Sequence, residues 1–522
     1  MADPIFTPLP PELIIKILGY LSAISKSTLL NLRLVDQRTC SLATPVAFHS
    51  LFLGPNEGSP QGFAKVALSK QLGKFVQELT CDTWIGTDLQ NADRHSRTQA
   101  RVNFLSALPL IRCLPNLKSL RLCFTTEMEL EGFPWVEELL DYRTKVLQTV
   151  FKTLAGDLSA IEAPVIRQEL ETGEHLACVP DWGVRDEADQ LTVPTRLDRL
   201  TLHNVPDDAW SWTAGSEHVK MAIASGSLAD LRLSIATEGP DWNTAMHGVS
   251  EELHASFNAL PSTWLSRPVA QNLKILSLSC RTYWGWNPKC DLRVAGGGGG
   301  FPNLKILALK KYVFSHQWQI NWFASLGLEE LELDSCAIIY EAKGHIRLSK
   351  GSIIVGQGND GVSIKVSNKD YPVKNWMNSL QRGPVPNHLF PIRWHNILSE
   401  WRQSMTTLKS FQITAGQLYA RHDGVLGMGF AQAHRQEHED FRRKLFPQPS
   451  GVKVSQNHVS RYKQPLRYLY FDDMELWNEW NSWDRSRSED EGRGVEDGVE
   501  ARDKAALLDF SETIRQRNLA NS

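Results

Sequence analysis

His434, Glu437 and His438 form the pattern H-x-x-E-H. The surrounding residues predict a helix from Phe430 to Phe446, where side chains four apart share a face, and inverted zinc peptidases space two histidine ligands in this way. Metal-assisted hydrolysis is the chemistry such a set could perform. Nothing else in the chain supplies the rest of such a fold, so the expectation is a solvated polar face.

Gly356, Gly358 and Gly361 match G-x-G-x-x-G, which cradles a dinucleotide pyrophosphate when a helix opens behind it. Here the strand pattern VSIKV follows, and Asn359-Asp360-Gly361 reads as a hairpin turn. Neither a G-x-x-x-x-G-K-[ST] loop nor a G-x-S-x-G elbow occurs. The chain is expected to be no enzyme, with no catalytic residue, no cofactor and no metal. Residues 435 to 467 hold eight Lys or Arg against three acids, and a solvated loop is the expectation there.

The elements that could position any site are bounded by composition. The 522 residues are 42% hydrophobic and 22% charged, ordinary globular figures that exclude collagen-like, coiled-coil and wholly disordered chains. Fifty-six basic and 59 acidic side chains leave a net charge of −3. That balance implies no nucleic-acid or membrane partner. The cysteines at 40, 81, 113, 123, 178, 280, 290 and 336 contain no C-x-x-C pair, which favours reduced thiols. With no secretory pattern at Met1 to Pro11 and no long apolar run, a soluble cytoplasmic and/or nuclear protein is expected.

The body carries a recurring L-x-x-L-x-L core: Leu117, Leu120, Leu122; Leu197, Leu200, Leu202; Leu228, Leu231, Leu233; Leu273, Leu276, Leu278; Leu304, Leu307, Leu309; and Leu328, Leu331, Leu333 with Cys336. Weaker copies are Val76, Leu79, Cys81; Leu408, Phe411, Ile413; and Leu466, Leu469, Phe471. Such spacing makes short strands whose alternate side chains enter a stacked core. The first leucines stand 80, 31, 45, 31 and 24 residues apart, so long insertions must leave the turns. The expected fold class is mixed α+β or α/β: an irregular leucine-rich-repeat-like solenoid with insertions over residues 70–483, behind a short helical module at 5–53. Amphipathic helices are expected at Trp135 to Leu154 and Arg393 to Met405, and two or three antiparallel strands within His345 to Ser367. Most of the seventeen tryptophans should lie in the core.

Gly296 to Gly300 reads as a flexible run. Residues 484–504 carry thirteen charges in twenty-one positions and are expected to be disordered. A terminal helix is expected at 505–519.

The N-terminal module opens with TPLPPELIIKILGYL: prolines at the entry, an acid in the first turn, then Leu13, Ile14, Ile17, Leu18 and Leu21 at helical spacing. Two further short helices follow, the third from Arg38 to Ala43 and stopped before Pro45. Three such helices cannot hide all of their apolar residues among themselves.

This segment resembles the F-box, the adaptor-binding module of SCF-type ubiquitin ligases. Leu9, Pro10, Glu12, Leu13, Ile17, Leu18 and Leu21 meet the first part of its pattern, and Leu32, Val35, Arg38, Leu42, Pro45 and Phe48 the later part. Phe48 stands where the family usually has tryptophan. Asp36, Gln37 and Thr39 depart from the family's usual residues. The resemblance implies a substrate-recognition subunit of a cullin-based ligase. Leu9, Pro10, Glu12, Leu13, Ile17, Leu18, Leu21 and Val35 would divide between contact with a Skp-type adaptor, and through it a cullin, and a small internal core. The body would hold a protein target whose identity the resemblance does not supply. A protein-interaction scaffold outside any ligase is the alternative.

Overall fold

The computed structural model describes residues 9–56, 58–84, 94–124, 140–157, 180, 182, 194–206, 215–224, 227–236, 251–342, 348–357, 363–372, 387–414, 453–454, 466–471 and 495–520. It divides into two compact units, Met1–His203 with Glu217–Leu228, and Asn204–Ser216 with Ala229–Ser522. The division falls inside the expected repeat body, and the N-terminal helices share a unit with the first strands.

In the first unit, α1 (Pro11–Ile24), α2 (Lys26–Leu32) and α3 (Gln37–Ala47) lead into β1 (Ser50–Leu53), β2 (Glu78–Asp82), β3 (Ser119–Cys123) and the part of β4 (Arg199–Pro206) up to His203. The strands pair in parallel and in chain order, with Leu79 beside Leu120 beside Leu200, and Cys81 beside Leu122 beside Leu202. All six are buried, because alternate side chains of each strand point to one face. Helices α4 (Ser59–Ala67), α5 (Arg94–Ala107), α6 (Leu140–Ala155) and α7 (Glu217–Ile223) belong to this unit.

In the second unit, β5 (Asp230–Ala236), β6 (Ile275–Trp284), β7 (Ile306–Phe314), β8 (Glu330–Asp334), β13 (Ser410–Thr414) and β14 (Lys453–Val454) form another parallel series. Leu231, Leu276, Leu307, Leu331 and Phe411 stand in one row and Leu233, Leu278, Leu309, Leu333 and Ile413 in the next. The alternate face is polar at its start, where Arg232 Nε donates to Asp230 Oδ1 at 2.8 Å in a buried ion pair. Helices α8 (Glu251–Ala259), α9 (Arg267–Ala270), α10 (Gln317–Ser325), α11 (Trp394–Ser404) and α12 (Val499–Ala520) also belong to this unit.

The end of β7 also pairs with β9 (Ala337–Ala342), which pairs in parallel with β15 (Arg467–Phe471) and antiparallel with β12 (His388–Leu389). Trp286, Tyr371, Phe390, Leu469 and Phe471 form the core against this branch. The chain is therefore mixed helix and strand with a mostly parallel sheet, an α/β arrangement. The leucine spacing reappears as parallel strands, but the sheet is not a solenoid. Connections of unequal length and the branch at β9 break the repeat.

Several local expectations meet a different outcome. The run Gly296–Gly300 is an ordered turn: Gly296 N–H donates to Leu265 O at 2.8 Å, and Gly296, Gly297, Gly298 and Gly300 take positive φ, which glycine adopts without steric cost. Residues 499–504 of the charged stretch lie within α12; Val499 and Asp503 are buried there, so packing decides what composition cannot. α3 continues through Pro45 to Ala47; the proline falls in its last turn, and Phe48 N–H still donates to Thr44 O at 3.1 Å. Of the expected β excursion, β10 (Ser352–Gln357) and β11 (Ser363–Ser367) form an antiparallel hairpin. Its turn, and His434 with Glu437 and His438, lie outside the described residues. Among those described, no helix is long and apolar enough to cross a membrane, and no group of His, Cys, Asp and Glu could hold a metal.

Candidate functional site

The prolines set the entry of α1. Pro10 is its N-cap and Pro11 its first residue, where a missing N–H costs nothing, and Pro10 O accepts from the N–H groups of Leu13 at 3.1 Å and Ile14 at 3.2 Å. Glu12 places a carboxylate at the positive end of the helix dipole. Ser25 caps α2 through Thr28 N–H at 3.3 Å. Asp36, one of the departures from the F-box pattern, caps α3: its carboxylate accepts from Thr39 N–H at 2.7 Å and Thr39 Oγ1 at 2.8 Å. Those bonds hold the Asp36 carboxyl below its usual range.

Inside the module, Ile14, Leu18, Leu29, Ala43 and Ala47 form a closed core, against which Leu9, Leu21, Leu32, Leu42, Val46 and Phe48 are partly buried. Arg38 Nη2 donates to Leu9 O at 2.8 Å, tying α3 to the chain entry. Arg33 Nε donates to Thr44 Oγ1 at 2.9 Å, and its guanidinium lies 4.7 Å from the Phe48 ring centre. Phe48 thus offers Arg33 the aromatic face that a tryptophan there would also present.

The eight singled-out residues separate cleanly. Leu18, at 2% exposure, belongs to the internal core; Leu9 and Leu21 are partly buried beside it. Pro10, Glu12, Leu13, Ile17 and Val35 are exposed.

What the motif did not point out is larger. Tyr20, Ile24 at 80% exposure and Leu34 at 84% are also exposed. Leu13, Ile17, Tyr20 and Ile24 follow i, i+4, i+7, i+11, which places them on one face of α1. The second apolar stripe was therefore visible as a spacing; that it stays uncovered required the fold.

No protein-family model matches the chain, and no curated protein matches it.

The module is joined to the strands without a linker, since only Phe48 and His49 separate α3 from β1. Lys26 Nζ donates to Ser50 O at 2.9 Å across that junction, and burial draws the ammonium below its usual value. An amphipathic helix hides one apolar stripe; α1 carries two, and the outer one stays exposed, as do Leu34 and Val35 beyond α2. The described cysteines are free thiols, and burial pushes Cys81, Cys290 and Cys336 well up. For those three, burial disfavours the thiolate, the nucleophilic form.

Proposed function

We propose that this chain is a substrate-recognition subunit of a cullin-based, SCF-type ubiquitin ligase, acting in the cytoplasm or nucleus. The single observation carrying the reading is the outer stripe of α1, Leu13, Ile17, Tyr20 and Ile24, on a three-helix segment whose residues resemble the F-box. Its occupant is a Skp-type adaptor. Exposed apolar residues contiguous on one helix mark a protein contact more often than a solvated surface.

In this reading the leucine-spaced body, a distant relation of leucine-rich repeats with insertions, holds the target protein. The subunit then contributes proximity alone: it raises the effective concentration of target lysines near the charged conjugating enzyme. The short junction between α3 and β1 supports it, because it leaves little freedom between the helical module and the strands that follow it in the same unit.

Co-purification with a recombinant Skp-type adaptor tests the reading. Full-length protein should retain the adaptor, and Leu13→Asp with Ile17→Asp should lose it while remaining folded. An adaptor retained by that double variant, or never bound by the full chain, leaves the scaffold reading in its place.

A further inference from the structure

The β10–β11 hairpin is an insertion held at its foot by four consecutive contacts. Arg293 Nη2 donates to Ser367 O at 3.1 Å, Lys289 Nζ to Asn368 Oδ1, His316 Nε2 to Lys369 O at 2.8 Å, and Trp286 Nε1 to Asp370 O at 2.9 Å. Tyr371, fully buried, stacks on His316 with ring centres 4.2 Å apart. Ile353 and Val366 pair across the hairpin and are partly buried.

The outward face is different in kind. Ser352 pairs with Ser367 and Ile354 with Lys365, and all four are exposed, Ile354 by 58%. At the foot, Lys350 and Lys369, also exposed, stand across from each other between the bonds Asn368 N–H to Gly351 O and Asp370 N–H to Ser349 O. None of the three lysines has an ion-pair partner among the described residues; Asp370, the acid beside them, lies 3.7 Å from His388.

We propose that this face is a docking surface for an acidic, extended segment of the target protein, an assignment of partner chemistry that rests on the receptor reading above. Lys350 and Lys369, facing each other as like charges, repel one another, and the exposed isoleucine opposite Lys365 gains nothing from water. A carboxylate-bearing chain with an apolar residue relieves both. The clamp at the foot presents the face already ordered, which lowers the entropy lost on binding.

The test uses the full chain and a fluorescein-labelled peptide of about twelve residues, alternating Glu and Ser with one central Leu, read by anisotropy at about 50 and about 200 mM salt. The wild-type chain should bind it, more weakly at the higher salt. Lys350→Glu with Lys365→Glu and Lys369→Glu should weaken binding about tenfold or more, and Ile354→Ser about threefold. Lys365→Glu alone supplies the readout if the triple variant melts early. A peptide with Gln in place of Glu should bind at least about tenfold more weakly. Undiminished binding by the charge-reversed variants, equal binding of the Gln peptide, or no binding of the acidic one would overturn the proposal. So would tighter binding of a single-stranded oligonucleotide of equal length, which would make the partner a nucleic acid. Adaptor co-purification on the same samples separates the two ideas: its failure removes the receptor reading, while the anisotropy still decides whether this face takes acidic chains.

Discussion

Asp503 caps a helix to which it is connected only through tertiary structure: its Oδ1 accepts the backbone N–H of His395 at 2.9 Å and the Nδ1–H of the same residue at 2.7 Å. Its Oδ2 accepts from Tyr468 Oη at 2.6 Å, and Tyr468 Oη in turn accepts Trp394 N–H at 3.0 Å. The first two N–H groups of α11, which no intrahelical carbonyl can reach, are thus satisfied from α12 and β15. Phe510 packs on Phe411 at 5.0 Å between ring centres and Arg517 donates to Met405 O at 2.9 Å. Together these contacts seat α12 on α11 and β13.

Asp503→Ala should therefore lower stability by about 2–3 kcal/mol, because it leaves buried donors without an acceptor. Asp503→Asn should cost less. Asp509→Ala, which removes an exposed partner of Arg402, should stay within about 0.5 kcal/mol. Urea titration of the three variants checks the order, and an Asp503→Ala midpoint matching that of Asp509→Ala would contradict the capping role.

Leu18 and Ile17 are neighbours with opposite consequences. Leu18→Ala should destabilise the helical module by about 2–4 kcal/mol through a core cavity. Ile17→Asp, on the outer face, should move the melting curve little while abolishing adaptor retention. Thermal melting by circular dichroism beside an adaptor pull-down measures both, and the pair must dissociate in this way for the stripe to be the contact.

Burial lowers His316 to about 4 from an ordinary value of 6.5. The carbonyl of Lys369 and the charge of Asp370 oppose the shift, as does Asp291, while Arg293 adds to it. Between those values the unfolded chain binds the extra proton, so stability is full above about pH 6.5 and falls as pH drops towards 4, by up to about 1.4 kcal/mol per pH unit. Urea midpoints at a series of pH values should decline over that window, and His316→Gln should flatten the decline.

Gly285 has φ of +107°, and a Cβ there would lie 2.7 Å from Tyr312 Cε2 and 3.2 Å from Val313 O. Gly285→Ala should cost about 1–3 kcal/mol through combined backbone strain and overpacking. Gly297→Ala, also at positive φ but with open space around it, should cost less, about 1 kcal/mol. Differential scanning calorimetry of the two variants gives the comparison.

Much of the fold was legible in the residues themselves. The L-x-x-L-x-L spacing and its weaker copies fall on β2 to β8, β13 and β15 but not on β1, β9 or β14, because alternation along a strand is a property of the chain and needs no partner to be read. The prolines before Glu12 and the apolar run behind them marked α1 for the same reason. The strand periodicity of VSIKV was legible in the same way, and the segment becomes β11.

Tertiary structure decided the rest. Leu13, Ile14, Ile17 and Leu18 are interchangeable as hydrophobes, and only the placement of α2 and α3 sends Ile14 and Leu18 inward and leaves Leu13 and Ile17 outside. The charges around Asp503 predicted disorder by composition, yet the N–H groups of His395 and the hydroxyl of Tyr468 compensate its buried carboxylate. Nor could spacing foresee that the end of β7, beyond its leucines, would also pair with β9 and branch the sheet. Periodicity is local and survives in the sequence; which stripe is covered, and by what, depends on residues far away in the chain that are brought near only when it folds.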